Sequence, residues 1–165
     1  MAKIYLASPY GFSESSKGFL RDLREKLKSS GHTVHDPWVV SEPLVLECLA
    51  KIRRNPGNSK QLWHKLDMKI GKLNQKAIDK AEVVVAGLDG TDVDAGTASE
   101  IGYAFGRDKT VLGYREDFRL TGENEGMVVS VQVQYWIEQS GGAVFGKVSD
   151  VLKRLAKLDR HPKRR

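Results

Sequence analysis

The stretch Val83-Val-Val-Ala-Gly-Leu-Asp-Gly-Thr-Asp-Val-Asp-Ala-Gly-Thr-Ala-Ser-Glu-Ile-Gly-Tyr-Ala104 decides the fold of this 165-residue chain. Its first four residues form a continuous apolar run, the pattern of a strand buried on both faces. Further on the apolar spacing becomes helical, with Ala98, Ile101 and Phe105 on one face. Asp89, Asp94 and Glu100 thereby gather between the end of a strand and the first turns of a helix, where open α/β sheets bind ligands. Glycines at 87, 90 and 96 let the backbone turn tightly and approach a ligand closely. Carboxylates clustered this way suit a ligand rich in hydroxyl groups, and one of them could act as a nucleophile. The same residues also make ordinary turn chemistry: Asp94 or Thr97 can cap the helix, and Glu100 sits near its positive end.

Outward from this stretch, strand and helix patterns alternate. Strands are expected at 4–7, 33–35, 83–86, 110–114 and 143–145. Helices are expected at 14–29, 42–54, 59–80, across Glu100, at 129–139 and at 147–158, with Asn55-Pro-Gly-Asn58 as a break. Strands separated by helices imply parallel crossovers. The expected fold is a three-layer α/β/α sandwich, flavodoxin-like, with a five-stranded parallel sheet of order 2-1-3-4-5. Residues 1–158 read as one domain and 159–165 as a basic C-terminal tail.

The composition, 40% hydrophobic and 29% charged, is that of an ordinary soluble globular protein. No apolar run approaches a membrane span, and no signal-peptide segment precedes the first strand, so a cytoplasmic location is expected. The lone Cys48 excludes an internal disulfide framework and, lying in an apolar stretch, reads as a buried small hydrophobe. Residues 151–165 hold seven Lys/Arg against one acid, which leaves twenty of each sign in 1–150. The body is neutral by count, so the net charge of +6 does not imply specific nucleic-acid binding. His32, His35, His64 and His161 show no metal-ligand spacing. Neither a phosphate-binding P-loop nor a dinucleotide-binding glycine motif is present. No metal and no organic cofactor are expected.

Gly96, Glu100, Gly102 and Ala104 fill the pattern G-x-x-x-E-x-G-x-A. With the acidic loop before it, this segment resembles the nucleoside 2-deoxyribosyltransferase family. Ile4-Tyr-Leu-Ala-Ser-Pro-Tyr-Gly-Phe12 is similar to that family's first strand and substrate loop. Gly113-Tyr-Arg-Glu-Asp-Phe-Arg119 and Val131-Gln-Val-Gln-Tyr-Trp-Ile137 agree, so the resemblance covers roughly residues 3–157. It implies an enzyme that breaks an N-glycosidic bond, a step that develops positive charge on the sugar and negative charge on the base. A carboxylate on the anomeric face can capture such a sugar.

The resemblance assigns Glu100 as that nucleophile, Asp94 to the sugar hydroxyls and Tyr5 as the phenol that orients the glutamate. It implies that Ser8, Tyr10, Gly11 and Phe12 form a lid or stacking wall for a base, whose π-surface suits an aromatic face. Gly96 belongs to the binding loop, and Asp89 is either a substrate contact or a turn residue. Arg115, Asp117, Phe118 and Arg119 are placed to close over the site, with surface ion pairing as the alternative for Arg119. Tyr135 and Trp136 read as core or subunit interface.

Two positions depart from the family pattern. Asn74 stands where the family has an aspartate that contacts the base, and an amide cannot deliver a proton. The leaving base would then be protonated by Asp89, by solvent or by another acid. Ser130 stands where the family has an asparagine reaching into a neighbouring subunit's sugar site, with Gln132 in register beside it. The expected function is transfer of a 2-deoxyribosyl group between nucleobases, within purine and pyrimidine salvage, by a homo-oligomer acting on nucleosides and nucleobases and not on membranes. Alternatives are an N-glycosidase on nucleosides or nucleoside 5′-monophosphates, with water as acceptor, and a non-catalytic nucleotide-binding module.

Overall fold

The computed structural model describes residues 1–160; most of the basic tail expected over 159–165 lies outside them. The elements follow in the order β1 (Lys3–Ala7), α1 (Glu14–Ser29), β2 (Thr33–His35), α2 (Pro37–Arg54), α3 (Ser59–Lys80), β3 (Val83–Gly87), α4 (Ala95–Gly106), β4 (Thr110–Tyr114), α5 (Val131–Gln139), β5 (Val144–Phe145) and α6 (Val148–Arg160). The strands form one parallel sheet of order β2-β1-β3-β4-β5, as the alternation predicts.

Each central strand divides its side chains between two cores, because successive residues point to opposite faces. Ile4, Leu6, Val83, Val85, Leu112 and Tyr114 pack with Leu20, Leu23 and Leu27 of α1 and Val151 and Leu155 of α6. Tyr5, Ala7, Val84, Ala86 and Val111 pack on the other face with Ile78 of α3, Ile101 and Ala104 of α4, and Val133 and Ile137 of α5. Three layers result. Each fully buried aliphatic side chain contributes about 1.5–3 kcal/mol, so α1 alone, through Leu20, Leu23 and Leu27, supplies a substantial part of one core.

Helix ends follow local chemistry. Gly31, at φ 89°, closes α1 in a left-handed cap: its N–H donates to the Lys28 carbonyl and that of His32 to Leu27. α2 starts at Pro37 rather than at 42 as expected. Asp36-Pro37, directly after β2, makes a helix start. The Asp36 carboxylate accepts from the Trp38 N–H at 3.0 Å, and proline at the first helical position loses no bond. Pro43 lies inside the helix on its exposed side, where water can meet the carbonyl it leaves free.

α5 begins at Val131, two residues later than expected, after a fully buried Val129. Gln134 Oε1 reaches back to accept the Val128 N–H at 2.7 Å, holding that approach out of the helix. Of the expected Ala98–Ile101–Phe105 stripe on α4, Ile101 is buried and Ala98 packs against the same core, joined by Thr97 and Ala104, whereas Phe105 meets Tyr135 of α5 edge-on. Gly102 lets α5 come close: a Cβ there would lie within 2.8 Å of the Trp136 ring. Cys48 is buried and free. No helix among the described residues is long and apolar enough to cross a membrane.

Candidate active site

Strand order reverses between β1 and β3, and the chain leaves both strands at the same edge of the sheet. Such a switch point opens a crevice beyond the strand ends. Tyr5 comes into it from β1, Asn74 from α3 and Glu100 from α4. The Tyr5 hydroxyl donates to Glu100 Oε1 at 2.5 Å, and Asn74 Nδ2 approaches the same oxygen at 3.4 Å. Burial pushes the Glu100 carboxyl up to about 7, and the charge of Asp94 adds to the rise. The bonds from Tyr5 and Asn74 oppose it. Burial and the Glu100 charge together hold the Tyr5 phenol far above its ordinary range, so it stays a donor. Near neutral pH this carboxylate therefore passes between its two protonation states.

Asp94 caps α4. Its Oδ2 accepts from the Thr97 N–H at 2.9 Å and from the Thr97 hydroxyl at 3.2 Å. Gly96 packs on this cap, since a Cβ there would lie 3.1 Å from the same oxygen. Asp89 has a different task. Its Oδ2 accepts from Tyr10 at 2.7 Å, while Oδ1 accepts the N–H groups of Glu116 and Asp117 at 2.7 and 2.8 Å. One carboxylate thus ties together the loops after β1, β3 and β4.

Tyr10 can lie across the end of β3 because residue 87 is glycine; a Cβ there would be 2.4 Å from its ring. Gly11 faces the Trp38 ring, which a Cβ would overlap, and Phe12 meets that ring edge-on at 4.5 Å. Trp38 Nε1 donates to the Ser8 carbonyl at 2.9 Å. Phe12 is 75% exposed, whereas Ser8 is buried and its hydroxyl finds no partner among the described residues. Ser130 and Gln132 stand at the start of α5, and no hydrogen bond among the described residues joins either to Glu100.

Arg115, His35 and Trp38 have roles that the sequence reading did not assign them. Arg115 is buried and spends its guanidinium on main-chain carbonyls: Leu88, Gly90 at 3.0 Å and Arg119 at 2.7 Å. It clamps the acidic loop, where the sequence suggested closure over the site. His35 stacks on Tyr5 at 5.6 Å, with Nε2 buried and unpartnered among the described residues. Its signal was its place at the end of a strand beside β1, where register sets it opposite Tyr5. Trp38 supports the β1 loop, and nothing in its spacing marks that role.

An open cavity of about 600 Å³ beside the acidic loop is lined by Asp89, Glu116, Asp117, Phe118 and Arg119. Arg119 is forked onto Asp117, with Nε 2.9 Å from Oδ1. Among the described residues, no group of three His, Cys, Asp or Glu side chains is arranged to hold a metal ion.

Residues 4–132 match the family model described as nucleoside 2-deoxyribosyltransferase. No curated protein sequence matches the chain. Among solved structures, it is similar to a 2-deoxyribosyltransferase from Bacillus psychrosaccharolyticus, at 25% identity and TM-score 0.65 over 92% of this chain and 90% of that one. A 2-desoxiribosyltransferase from Leishmania mexicana shares the fold at 18% identity and TM-score 0.64, over 98% of this chain and 99% of that one. A CMP N-glycosidase from Clostridium botulinum shares it at 20% identity and TM-score 0.52, over 94% and 98%.

Proposed function

The chain belongs to the nucleoside 2-deoxyribosyltransferase family, and from that premise we propose that it moves a 2-deoxyribosyl group between nucleobases through a glycosyl ester on Glu100. The observation that carries this reading is the half-buried Glu100 carboxylate, oriented by Tyr5 at the switch point of the sheet. A carboxylate oxygen attacks the anomeric carbon as the bond from that carbon to the base nitrogen breaks. The departing base keeps the bonding electrons and takes its proton from water. Asp89 is unsuited to supply that proton, because both its oxygens already accept hydrogen bonds. A nitrogen of the second base then attacks the same carbon, releases Glu100 and loses its own proton. Two inversions restore the original anomer.

In this reading Asp94 offers its remaining oxygen to a sugar hydroxyl. Ser8, Tyr10, Gly11 and Phe12 flank the base, and Asn74 meets it with an amide. Asp89 and Gly96 shape the binding loop. The carboxylates of Asp89, Glu116 and Asp117 line the neighbouring mouth, where Arg115 and Arg119 are already engaged. That field favours an unphosphorylated nucleoside over a 5′-monophosphate. Ser130 and Gln132, at the outer start of α5, are the positions through which a second copy would reach the sugar.

Incubation with deoxyinosine and free adenine, followed by chromatography, tests the reading. Deoxyadenosine appears if it is right. Hypoxanthine and free sugar without exchange would indicate the hydrolase, and no turnover of any nucleoside or 5′-monophosphate would indicate a binding module.

The nucleophile must be ionised to attack, so kcat/KM for exchange rises with pH through about 7 and levels off above it. Asn74→Asp removes an amide that favours the ionised form and adds a like charge. Both changes favour protonated Glu100, so the rising limb moves upward by about one pH unit. A limb that stays in place or moves down in that variant would separate Asn74 from the nucleophile.

A further inference from the structure

The neutral count over residues 1–150 conceals a separation of charge. Residues 51–76, the last turn of α2, the break after it and most of α3, carry eight Lys/Arg and a single acid, Asp67. The remainder of 1–150 holds twelve basic and nineteen acidic residues. All eight cations are exposed: Lys51, Arg53, Arg54, Lys60, Lys65, Lys69, Lys72 and Lys76.

Four of them, Lys65, Lys69, Lys72 and Lys76, recur at intervals of four, three and four and so occupy one face of α3. At the helical rise this row is about 16 Å long. Lys51 extends it across the groove between α2 and α3, which Lys51, Lys65 and Lys69 line together.

Lys17, Lys28 and Lys153 on other helices each pair with an acid one turn away, Glu14, Glu25 and Asp150, as Lys51 does with Glu47. Among the described residues, none of the four row lysines makes an ion pair within 4.0 Å. Glu47, already paired with Lys51, is the carboxylate whose titration Lys69 also influences. Like charges at this spacing destabilise a helix, so α3 carries the row against its own stability.

We propose that this face of α3 binds the phosphate backbone of a nucleic acid without reading its sequence. The row is linear and repeats at helical spacing, which suits a polymer of regularly spaced phosphates better than a compact anion. Trp63, the one Phe, Tyr or Trp on α3, is half-buried and leaves the exposed His64 as the sole ring beside the lysines, a poor platform for stacking successive bases. Contacts are therefore to phosphates, and affinity is governed by counterion release. The surface is separate from the Glu100 chemistry and does not depend on it.

The test is fluorescence anisotropy of a labelled 20-base-pair DNA duplex titrated with the full chain at several salt concentrations. Four phosphate contacts give a slope of about −4 for log K against log salt. The variant Lys65→Ala/Lys69→Ala/Lys72→Ala/Lys76→Ala binds at least 10-fold more weakly at 50 mM salt and flattens the slope, while its Tm does not fall. A control with the same change in charge, Lys26→Ala/Lys28→Ala/Lys153→Ala/Lys157→Ala, keeps most of the affinity. Absence of saturable binding by the native chain at 50 mM salt overturns the proposal. So does an equal loss in the control, which would reduce the effect to net charge. Salt-sensitive self-association through the same lysines, or binding to phosphatidylserine vesicles, in either case without binding to DNA, overturns it in favour of a second copy or a membrane surface.

Discussion

Glu100→Gln folds, loses base exchange by roughly 10⁴-fold or more, and is more stable than the native chain at pH 8. The first effect follows from removing a nucleophile whose work no neighbour can take over, since losing one member of a catalytic unit costs about as much as losing the unit. The second follows from burial, the main cause of the raised carboxyl. A carboxyl held at about 7 in the folded chain, against an ordinary glutamate value of 4.5, keeps its proton after the unfolded chain has released it. Its contribution is fully present below about 4.5 and is lost as pH rises to about 7. Above that, ionised Glu100 costs the fold on the order of 3 kcal/mol, which glutamine does not. Urea denaturation of both proteins at pH 4 and pH 8 checks this: the difference between them opens only at the higher pH. Equal stabilities at pH 8 would mean that the carboxyl is not raised. Exchange activity that survives in the variant would sink the glycosyl-ester mechanism.

Arg115→Ala lowers the free energy of unfolding by roughly 3–5 kcal/mol, through three main-chain carbonyls left without a donor and the cavity behind them. Arg115 is 4% exposed, and its guanidinium bonds the carbonyls of Leu88, Gly90 and Arg119 at once. Without it the acidic loop is no longer held against the segment after β4, so KM for the nucleoside rises as well. Arg115→Lys recovers little, because an ammonium lacks the planar fork that reaches several carbonyls together. Thermal unfolding supplies the measure: a decrease in Tm of about 10 °C or more is expected for alanine in a chain of this length. Near-native stability of the lysine variant would show that charge, and not fork geometry, holds the loop.

Much of the architecture was legible because periodicity reports burial directly. Val83–Gly87 is apolar throughout and buried throughout, and α3 begins and ends where turn residues and apolar spacing place it. The placement of Glu100 between strand and helix was equally readable. What pattern could not supply was the pairing of groups distant in the chain. Asp89 looked like either a turn residue or a substrate contact. Its actual bonds run to Tyr10, Glu116 and Asp117, which no local spacing connects. Arg115 read as a residue closing over the site, because its real partners are main-chain carbonyls, which every residue has and no sequence pattern marks. The lysine row was hidden for a simpler reason: a count of charges over 150 residues discards their positions.

The separate origins of Glu100 and of the two groups that bond to it have a practical consequence. Tyr5 comes from the first strand, Asn74 from the third helix and Glu100 from the fourth, and only the assembled fold brings them within bonding distance. No contiguous fragment shorter than residues 5–100 contains all three. Turnover therefore serves as a built-in gauge of global integrity. Its loss on heating or in denaturant should coincide with collapse of the whole structure, making enzymatic assay a sensitive way to count correctly folded molecules in any preparation.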